Sequence, residues 1–578
     1  MSLAFPSRER YYFDMLAHLK KYLSQEIAKK VSVSALDIEK ALEVPKTYEH
    51  GHLAWPIFSL AKEMKKNPME WAQNLSNELK DISGVLSVQA VGGFVNFKFQ
   101  ISQLVEALNL SAKEKFLSHN PLGQGKTVII DYASPNVAKK MHIGHLRATN
   151  IGQAIRNLAE ANGYKVIGVN HLGDWGSQFG KLAWAIEKWG SELGEKLWTI
   201  DGLLELYVRF HDETEKNPKL EEEGAATFLK LEKGDPKAQE IWKRIIEASL
   251  KDYARMFKIL NVRHDHILGE SFYNDKLDDV VERLKEKHLL VESEGAQVVM
   301  FDEKEKMPPC LIRKSDGASL YATRDLAAAI YRHDVMKGDE LIYVVGADQS
   351  LHFKQVFKVL ELLGYSWSQN CHHVSFGLVR FKEGKMSTRK GRVIHLEDVI
   401  DSAIEIVGKM VEEKNPSLPD KEDNVRKIAV GAVIFNDLVN DRVKNIEFDW
   451  DRALSTEGDS GPYVQYTAVR CKSILRKTSF QWEGLLSSSE WTEEEQKLIF
   501  TLLQFQDRVI LSYKNLKPNI LAQYLLQICS DFSHFYHHNR VLGEESQVEK
   551  KRLHLVELTR RTLEEGLGLL NIPTPEMM

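Results

Sequence analysis

The chain reads as an α/β protein. A Rossmann-like nucleotide-binding domain, split by a helical insertion, follows an α+β N-terminal domain and precedes an all-α C-terminal bundle. Three observations predict this. The apolar strand Thr127–Asp131, a helical stripe of Leu146, Ile151, Ile155 and Leu158 ending near Gly163, and a second strand Lys165–Asn170 follow one another within about 45 residues. Strand, helix and strand at that spacing make a right-handed parallel βαβ unit. Residues 183–290 then turn long, charged and helical, with a Lys/Glu-rich middle around 214–243, and from Leu396 helical spacing dominates to the end.

Each part has its own signals. Residues 1–110 mix amphipathic helix patterns with a strand-like end, where Phe94, Asn96 and Lys98 alternate with Val95, Phe97 and Phe99. Residues 111–125 carry charges, Pro121 and two glycines, as a linker does. The nucleotide-binding domain is expected over 120–455, with its insertion at about 185–295 and a helical stem region at about 396–455. Sheet-like stretches resume at 297–301 and 340–345. The last bundle is expected over 462–578. At 578 residues the chain is too long for one core, so several domains are required.

Bulk properties narrow the function classes. The 77 Lys and Arg against 82 Asp and Glu leave a net charge of −5, so a nucleic acid must be met by local basic faces. Cys310, Cys371, Cys471 and Cys529 are scattered, which favours buried free thiols over disulfides or a zinc cluster. The N-terminal residues lack the order of a signal peptide, and no apolar run is long enough to span a bilayer. A cytoplasmic protein without a membrane partner is expected.

Chemistry concentrates in the loop after the strand Thr127–Asp131. His142 and His145 bracket Gly144 at a helix start, with Lys139, Lys140 and Arg147 nearby. In parallel sheets such loops lie at the carboxyl ends of strands, where ligands bind. Helix N-termini attract anions, and Gly144 allows close approach, so a phosphate is favoured over a metal that lacks further ligands. Imidazole N–H groups there can stabilise charge developing on an α-phosphate. Some 240 residues downstream lies a second cationic, glycine-bounded loop: Gly384, Lys385, Met386, Ser387, Thr388, Arg389, Lys390, Gly391 and Arg392. A solvated basic loop is the bland alternative to a mobile clamp for a departing pyrophosphate.

These two stretches, in this order, resemble the HIGH and KMSKS signatures of class I aminoacyl-tRNA synthetases. Other stretches narrow the resemblance to the arginyl-tRNA synthetases of bacterial type. They are Ser134-Pro-Asn-Val-Ala-Lys-Lys-Met-His-Ile-Gly-His-Leu-Arg147, Asn170-His-Leu-Gly-Asp-Trp-Gly-Ser-Gln-Phe-Gly180, Gly269-Glu-Ser-Phe-Tyr273, Leu320-Tyr-Ala-Thr-Arg-Asp325, Val345-Gly-Ala-Asp-Gln-Ser-Leu-His-Phe353 and Glu457-Gly-Asp-Ser-Gly-Pro-Tyr-Val-Gln-Tyr466. They run through nearly the whole chain.

The resemblance implies an arginine–tRNA ligase that uses ATP, with Mg²⁺ arriving on the nucleotide, L-arginine and tRNA-Arg, and that acts as a monomer. It implies catalytic roles for His142, His145 and Lys385. Thr388 stands where the signature has a second lysine, and Lys139 is the expected replacement. ATP contacts are expected from Gly144, the two histidines, His171, Gly173, Asp174, Met386, Ser387 and Arg389. Backbone packing explains the glycines equally well.

Arginine recognition is assigned by the same resemblance to Asp131, Asn136, Tyr321, Asp325 and Gln349. Tyr321 and Asp325 lie four apart at a helix start and share a face; without the family match, Asp325 would read as an acid favoured by the helix dipole. A guanidinium, planar and always charged, needs such fixed acceptors. Phe94 and Asn96 are expected at the tRNA D-arm. Tyr463, Tyr466 and Arg470, on one helical face, are expected at the anticodon, with Tyr536 and Met578 as further contacts. By spacing alone that aromatic stripe would be core. Adenylate formation is implied to need bound tRNA. No metal-binding residues are expected. Two other readings are a nucleotidyltransferase acting on a small metabolite and a catalytically silent tRNA-binding relative.

Overall fold

In a computed structural model of the chain, the structure describes residues 15–112, 117–314, 321–381, 394–482 and 490–578. The N-terminal part packs helices on an antiparallel sheet of β1 (Leu53–Pro56), β2 (Val85–Val91) and β3 (Phe94–Phe99), in the order β1-β3-β2. Gly92 and Gly93 form the turn between β2 and β3, and Gly92 takes φ 59°, as tight hairpins require. Val95, Phe97 and Phe99 point into the core as their alternation predicts. Asn96 is buried too, at 4% exposure.

The nucleotide-binding part is built on a five-stranded sheet. Its strands are β4 (Thr127–Asp131), β5 (Lys165–Asn170), β6 (His266–Ile267), β10 (Glu340–Tyr343) and β11 (Cys371–His373), in the order β11-β10-β4-β5-β6. All the pairings are parallel. Helix Ile143–Ala161 makes the β4-to-β5 crossover. β4 has no polar face because helices cover both sides: Val128 and Ile130 enter one apolar core, Ile129 another. From β4 the chain runs outward to β6, then returns to place β10 on the other side of β4. That reversal opens a crevice at the carboxyl ends of β4 and β10, the usual ligand position in open α/β sheets.

The helical insertion expected to run to about 290 is interrupted. After helix Pro236–Ile259 the two-residue β6 joins the sheet edge beside β5, with Val169 opposite His266. Two residues are too short for a strand period to show in sequence. The stretch at 297–301 belongs to a separate antiparallel sheet of β7 (Leu290–Ser293), β8 (Ala296–Val299) and β9 (Cys310–Arg313). The stem contributes helices Leu396–Lys414 and Lys421–Leu438 and a parallel pair, β12 (Val379–Phe381) with β13 (Ile446–Phe448). The last part is helical: Gly461–Arg476, Glu493–Leu503, Phe505–Lys514, Asn519–His538 and Ser546–Leu569. All four cysteines are buried and unpaired. No helix among the described residues is long and apolar enough to cross a membrane.

Candidate active site

The loop leaving β4 is held in a strained path. Ala133, Ser134 and Ala138 take φ of 71°, 44° and 62°, conformations that L-residues adopt only under outside constraint. The constraint comes from the insertion helix Pro236–Ile259. Its buried Tyr253 hydroxyl lies 2.6 Å from the carbonyl of Asn136 and 2.8 Å from that of Lys139, and Ser249 accepts the N–H of Ala138 at 3.0 Å. On the other side, Val137 N–H donates to the carbonyl of Gly173 and Gly173 N–H to that of Pro135. A Cβ on Gly173 would stand 2.2 Å from the Asn136 side-chain oxygen, so this glycine is needed for close approach.

The loop ends in a reciprocal histidine cap. His142 N–H donates to His145 Nδ1 at 3.0 Å, and Gly144 N–H donates to His142 Nδ1 at 3.0 Å. The rings lie 3.9 Å apart. A nitrogen that accepts a hydrogen bond cannot carry the proton, so both neutral rings are protonated at Nε2. Burial, with His142 and Lys139 adding to it, pushes the His145 pKa down to about 3. Burial, His395 and Lys139 lower that of His142. Both rings are therefore neutral donors at pH 7, and their Nε2–H edges are turned away from the cap.

Gly144 was expected to open backbone N–H groups to phosphate. The structure occupies them: Ile143 N–H donates to the Ile394 carbonyl, Gly144 N–H to His142 Nδ1 and His145 N–H to the His142 carbonyl. Gly144 instead makes room for the folded-back ring, because a Cβ there would come within 2.8 Å of His142 Cε1. The donors left for an anion are the imidazoles. Lys139 is exposed, with Nζ 5.9 Å from the Tyr207 ring centroid.

The expected clamp residues Lys385, Met386, Ser387 and Arg389 lie outside the described residues, as does Thr388. The chain on either side is anchored to the histidine helix. Arg147, five residues past His142, donates to the carbonyls of Gly377 at 2.7 Å and Lys444 at 3.0 Å, just before β12 and β13. It also pairs with buried Asp437 of the stem at 2.8 Å. Beyond the loop, His395 bridges to His142, and Leu396 N–H donates to the Met141 carbonyl.

Of the residues expected for an amino acid, Asp131 and Asp325 are each held by an ion pair. Asp131 ends β4, with Oδ2 2.8 Å from Arg332 and Oδ1 accepting from Ser134 at 2.8 Å. Burial would raise its pKa, but Arg332, His171 and Ser134 outweigh it and hold it below the usual carboxylate value. His171 Nδ1 stands 3.4 Å from the same guanidinium. Asp325 Oδ2 meets His352 Nε2 at 2.5 Å. Tyr321 lies a turn earlier on the helix Tyr321–Asp334 and is 65% exposed. Gln349 is exposed beside Asp348.

Three more residues belong here: the sequence reading gave no role to Arg332 or Glu270, and for His352, in the stretch Val345–Phe353, a structural role was as much expected as a functional one. Arg332 and His352 partner the two acids. Glu270 is the third: it is largely buried, and its Oε2 has no partner. Burial, opposed by Arg324 and reinforced by Asp325 and Asp174, raises its pKa to about 7. A carboxyl buried near other carboxylates is pushed toward its neutral form, and a bound cation would draw it back to the ionised one. Its signal was visible inside Gly269-Glu-Ser-Phe-Tyr273, yet nothing local distinguished it from a surface acid.

Other expected residues fall differently. Asp174 is buried and uses both oxygens on Ser271, from its N–H at 2.8 Å and its hydroxyl at 2.6 Å, so it holds the turn that carries Glu270. Asn96 is buried with Nδ2 unpartnered, whereas Phe94 is half-buried at the hairpin against Phe58. In the C-terminal bundle Tyr466 and Arg470 are exposed on one face, and Arg470 stacks over Tyr536 at 4.3 Å. Tyr463 and Met578 pack against the core edge. No group of three His, Cys, Asp or Glu able to hold a metal occurs among the described residues.

Comparison with known proteins identifies the family. The family model for the class I (R) tRNA synthetase catalytic domain matches residues 106–450, the DALR anticodon binding domain 464–578, and the arginyl tRNA synthetase N terminal domain 17–99. The arginine–tRNA ligase of Clostridioides difficile strain 630 is 44% identical over 550 residues, covering 94% of this chain and 97% of that one. That of Halothermothrix orenii is 42% identical over 568 residues, 98% and 100% of the two chains. Among solved structures, the Thermus thermophilus arginyl-tRNA synthetase superposes with a TM-score of 0.82 at 29% identity, covering 97% of this chain and 99% of that one.

Proposed function

The chain belongs to the class I arginyl-tRNA synthetases and is an arginine–tRNA ligase, and from that premise we propose how its residues divide the work. The observation that carries the proposal is the histidine cap, because it points two neutral Nε2–H donors away from the helix they cap. In the first step the carboxylate of arginine attacks the α-phosphorus of ATP, and the bond to pyrophosphate breaks. His142 and His145 stabilise the charge that develops on the α-phosphate oxygens. Lys139 and Lys385, with Met386, Ser387 and Arg389, take the phosphates that leave; Gly144, Gly173 and His171 shape the nucleotide side. In the second step a hydroxyl of the tRNA's terminal adenosine attacks the arginyl carbonyl and AMP departs. No side chain acts as a nucleophile, so positioning and electrostatics carry the rate.

Arginine lies along the crevice. Its α-amino and carboxylate ends meet Asp131 and Asn136, with Ser134 between them in the loop. Its guanidinium meets Asp325, with Tyr321 beside it, Glu270 as a second carboxylate and Gln349 as a further polar contact. Two carboxylates match a planar, permanently charged fork. Mg²⁺ enters bound to ATP: Asp131, Asp174 and Asp325 already have Arg332, Ser271 and His352 as partners, and offer no cage of oxygen ligands.

The tRNA meets the outer parts. Phe94 faces the D-arm, while Tyr466, Arg470 and Tyr536 stack on unpaired anticodon bases, with Tyr463 and Met578 at the edge. The N-terminal domain ends near 110, the catalytic domain spans about 120–455, and the anticodon bundle spans 462–578. The enzyme works as a cytoplasmic monomer. The test is ATP–pyrophosphate exchange with arginine and tRNA-Arg added singly and together. Exchange that needs both supports this reading; exchange that ignores arginine sinks it.

A further inference from the structure

Arg332 stands among the most completely buried charged side chains of the protein, at 1% exposure. It lies near the end of helix Tyr321–Asp334 and reaches β4, where Nη2 donates to Asp131 Oδ2 at 2.8 Å. Its guanidinium stacks 5.2 Å from the centroid of Tyr343, the residue that pairs with Asp131 across β4 and β10. The same nitrogen is 3.4 Å from His171 Nδ1. Stability alone is a weak reason for such a pair. Desolvating two charges costs about as much as their attraction returns, and apolar residues of similar volume often serve as well. What apolar residues could not do is keep a carboxylate ionised and in one orientation.

The helix adds a second constraint. Asp325 precedes Arg332 by seven residues, two turns on the same face and about 10 Å of helix rise. Asp325 pairs with His352 in the second turn of this helix, and Arg332 grips Asp131 from its last turn. One rigid element thus spaces the two acids, and it sets that distance more tightly than two independent loops could.

We infer that Arg332 is a positioning residue for arginine: it holds the Asp131 carboxylate where the substrate's α-amino group binds, at a spacing from Asp325 set by the helix that Arg332 and Asp325 share. This rests on the reading of Asp131 and Asp325 as the two ends of the arginine site. Ser134 fixes the other oxygen of Asp131, leaving lone pairs on both oxygens for an ammonium group.

Steady-state arginylation by the full-length enzyme tests this, with arginine and ATP varied separately and tRNA-Arg saturating. Arg332→Gln should raise KM for arginine by about ten- to a hundredfold while KM for ATP changes less than about twofold. Arg332→Lys should recover part of the loss. Asp131→Asn should raise KM for arginine similarly, and the double variant should be no worse than Asp131→Asn, because the two residues act as one unit. The double variant leaves no lone buried charge, so it carries the test if Arg332→Gln alone does not fold. Equal losses toward arginine and ATP, or effects of the two substitutions that multiply, overturn the inference. An Asp131→Asn enzyme with an unchanged KM for arginine instead removes the reading beneath it.

Discussion

His145 Nδ1 accepts the backbone N–H of His142 at 3.0 Å, so the second histidine of the motif caps the helix with one nitrogen and keeps the other for chemistry. The two jobs separate by substitution. Asparagine imitates the Nδ1 side of the ring and glutamine the Nε2 side. His145→Asn should keep the fold and lower kcat by about 10²–10³, the usual loss for one transition-state donor. His145→Gln should retain more activity but lose about 1 kcal/mol of stability through the broken cap. Thermal melting beside single-turnover adenylation distinguishes them, and the opposite ranking would assign catalysis to Nδ1.

Glu270 and Asp325 make a pH prediction. The Glu270 carboxyl, its pKa raised to about 7 chiefly by burial, is protonated below neutrality and ionised above it. An arginine guanidinium favours the ionised form, so kcat/KM for arginine should climb as pH rises through 7. Glu270→Gln should flatten that rise. Asp325→Ala should abolish arginylation at every pH and leave tRNA binding largely intact; equal loss of both would mark Asp325 as a folding residue.

Arg147 and Asp437 form a buried pair, at 1% and 4% side-chain exposure, that ties the histidine helix to the stem. Breaking it from one side leaves a buried charge unpaired, at a cost of about 3–5 kcal/mol. Asp437→Ala should therefore lower the denaturant midpoint strongly. The pair Arg147→Met with Asp437→Leu should recover much of that loss but not the activity, since the carbonyls of Gly377 and Lys444 lose their donor too.

His52 sets an acid limit. Burial, assisted by Lys98, pushes its pKa down to about 3, and Nδ1 accepts the N–H of Phe99 at 2.9 Å. The ring packs 4.6 Å from Phe500 of the C-terminal bundle. The unfolded chain takes up a proton below about pH 6.5 and the folded one does not, so stability present above 6.5 is lost progressively toward pH 3. At pH 4.5 the loss should reach about 2–3 kcal/mol. Melting curves of His52→Asn, which keeps an acceptor but does not titrate, should lack this component.

Tyr466 and Arg470 present an exposed aromatic and cation on one helix face. Tyr466→Ala should weaken tRNA-Arg binding by about 1–3 kcal/mol, the range for loss of one stacked base. Arginine and ATP affinities should stay as they were. An unchanged dissociation constant would move the anticodon to another face.

Legibility followed the range of the interactions. β4, β5 and helix Ile143–Ala161 could be read because apolar periodicity is local and the parallel sheet is buried on both faces. The two-residue β6 could not, because it exists only through pairing with β5. Asp131, Asp325 and the histidines could be named from motifs. Their pairings with Arg332 and His352 could not, since those partners lie 201 and 27 residues away in sequence and meet them only on folding.

From the residues alone came the family, the parallel nucleotide-binding sheet and most of the side chains proposed to do chemistry, because each is written in short, ordered stretches of chain. Folding settled what those side chains are free to do. It occupied the backbone N–H groups near Gly144, committed Asp174 to Ser271, buried Asn96 and left Glu270 Oε2 without a partner. The physical reason is that tautomer, ionisation and hydrogen-bond capacity depend on burial and on neighbours distant in sequence, and neither exists until the core has closed.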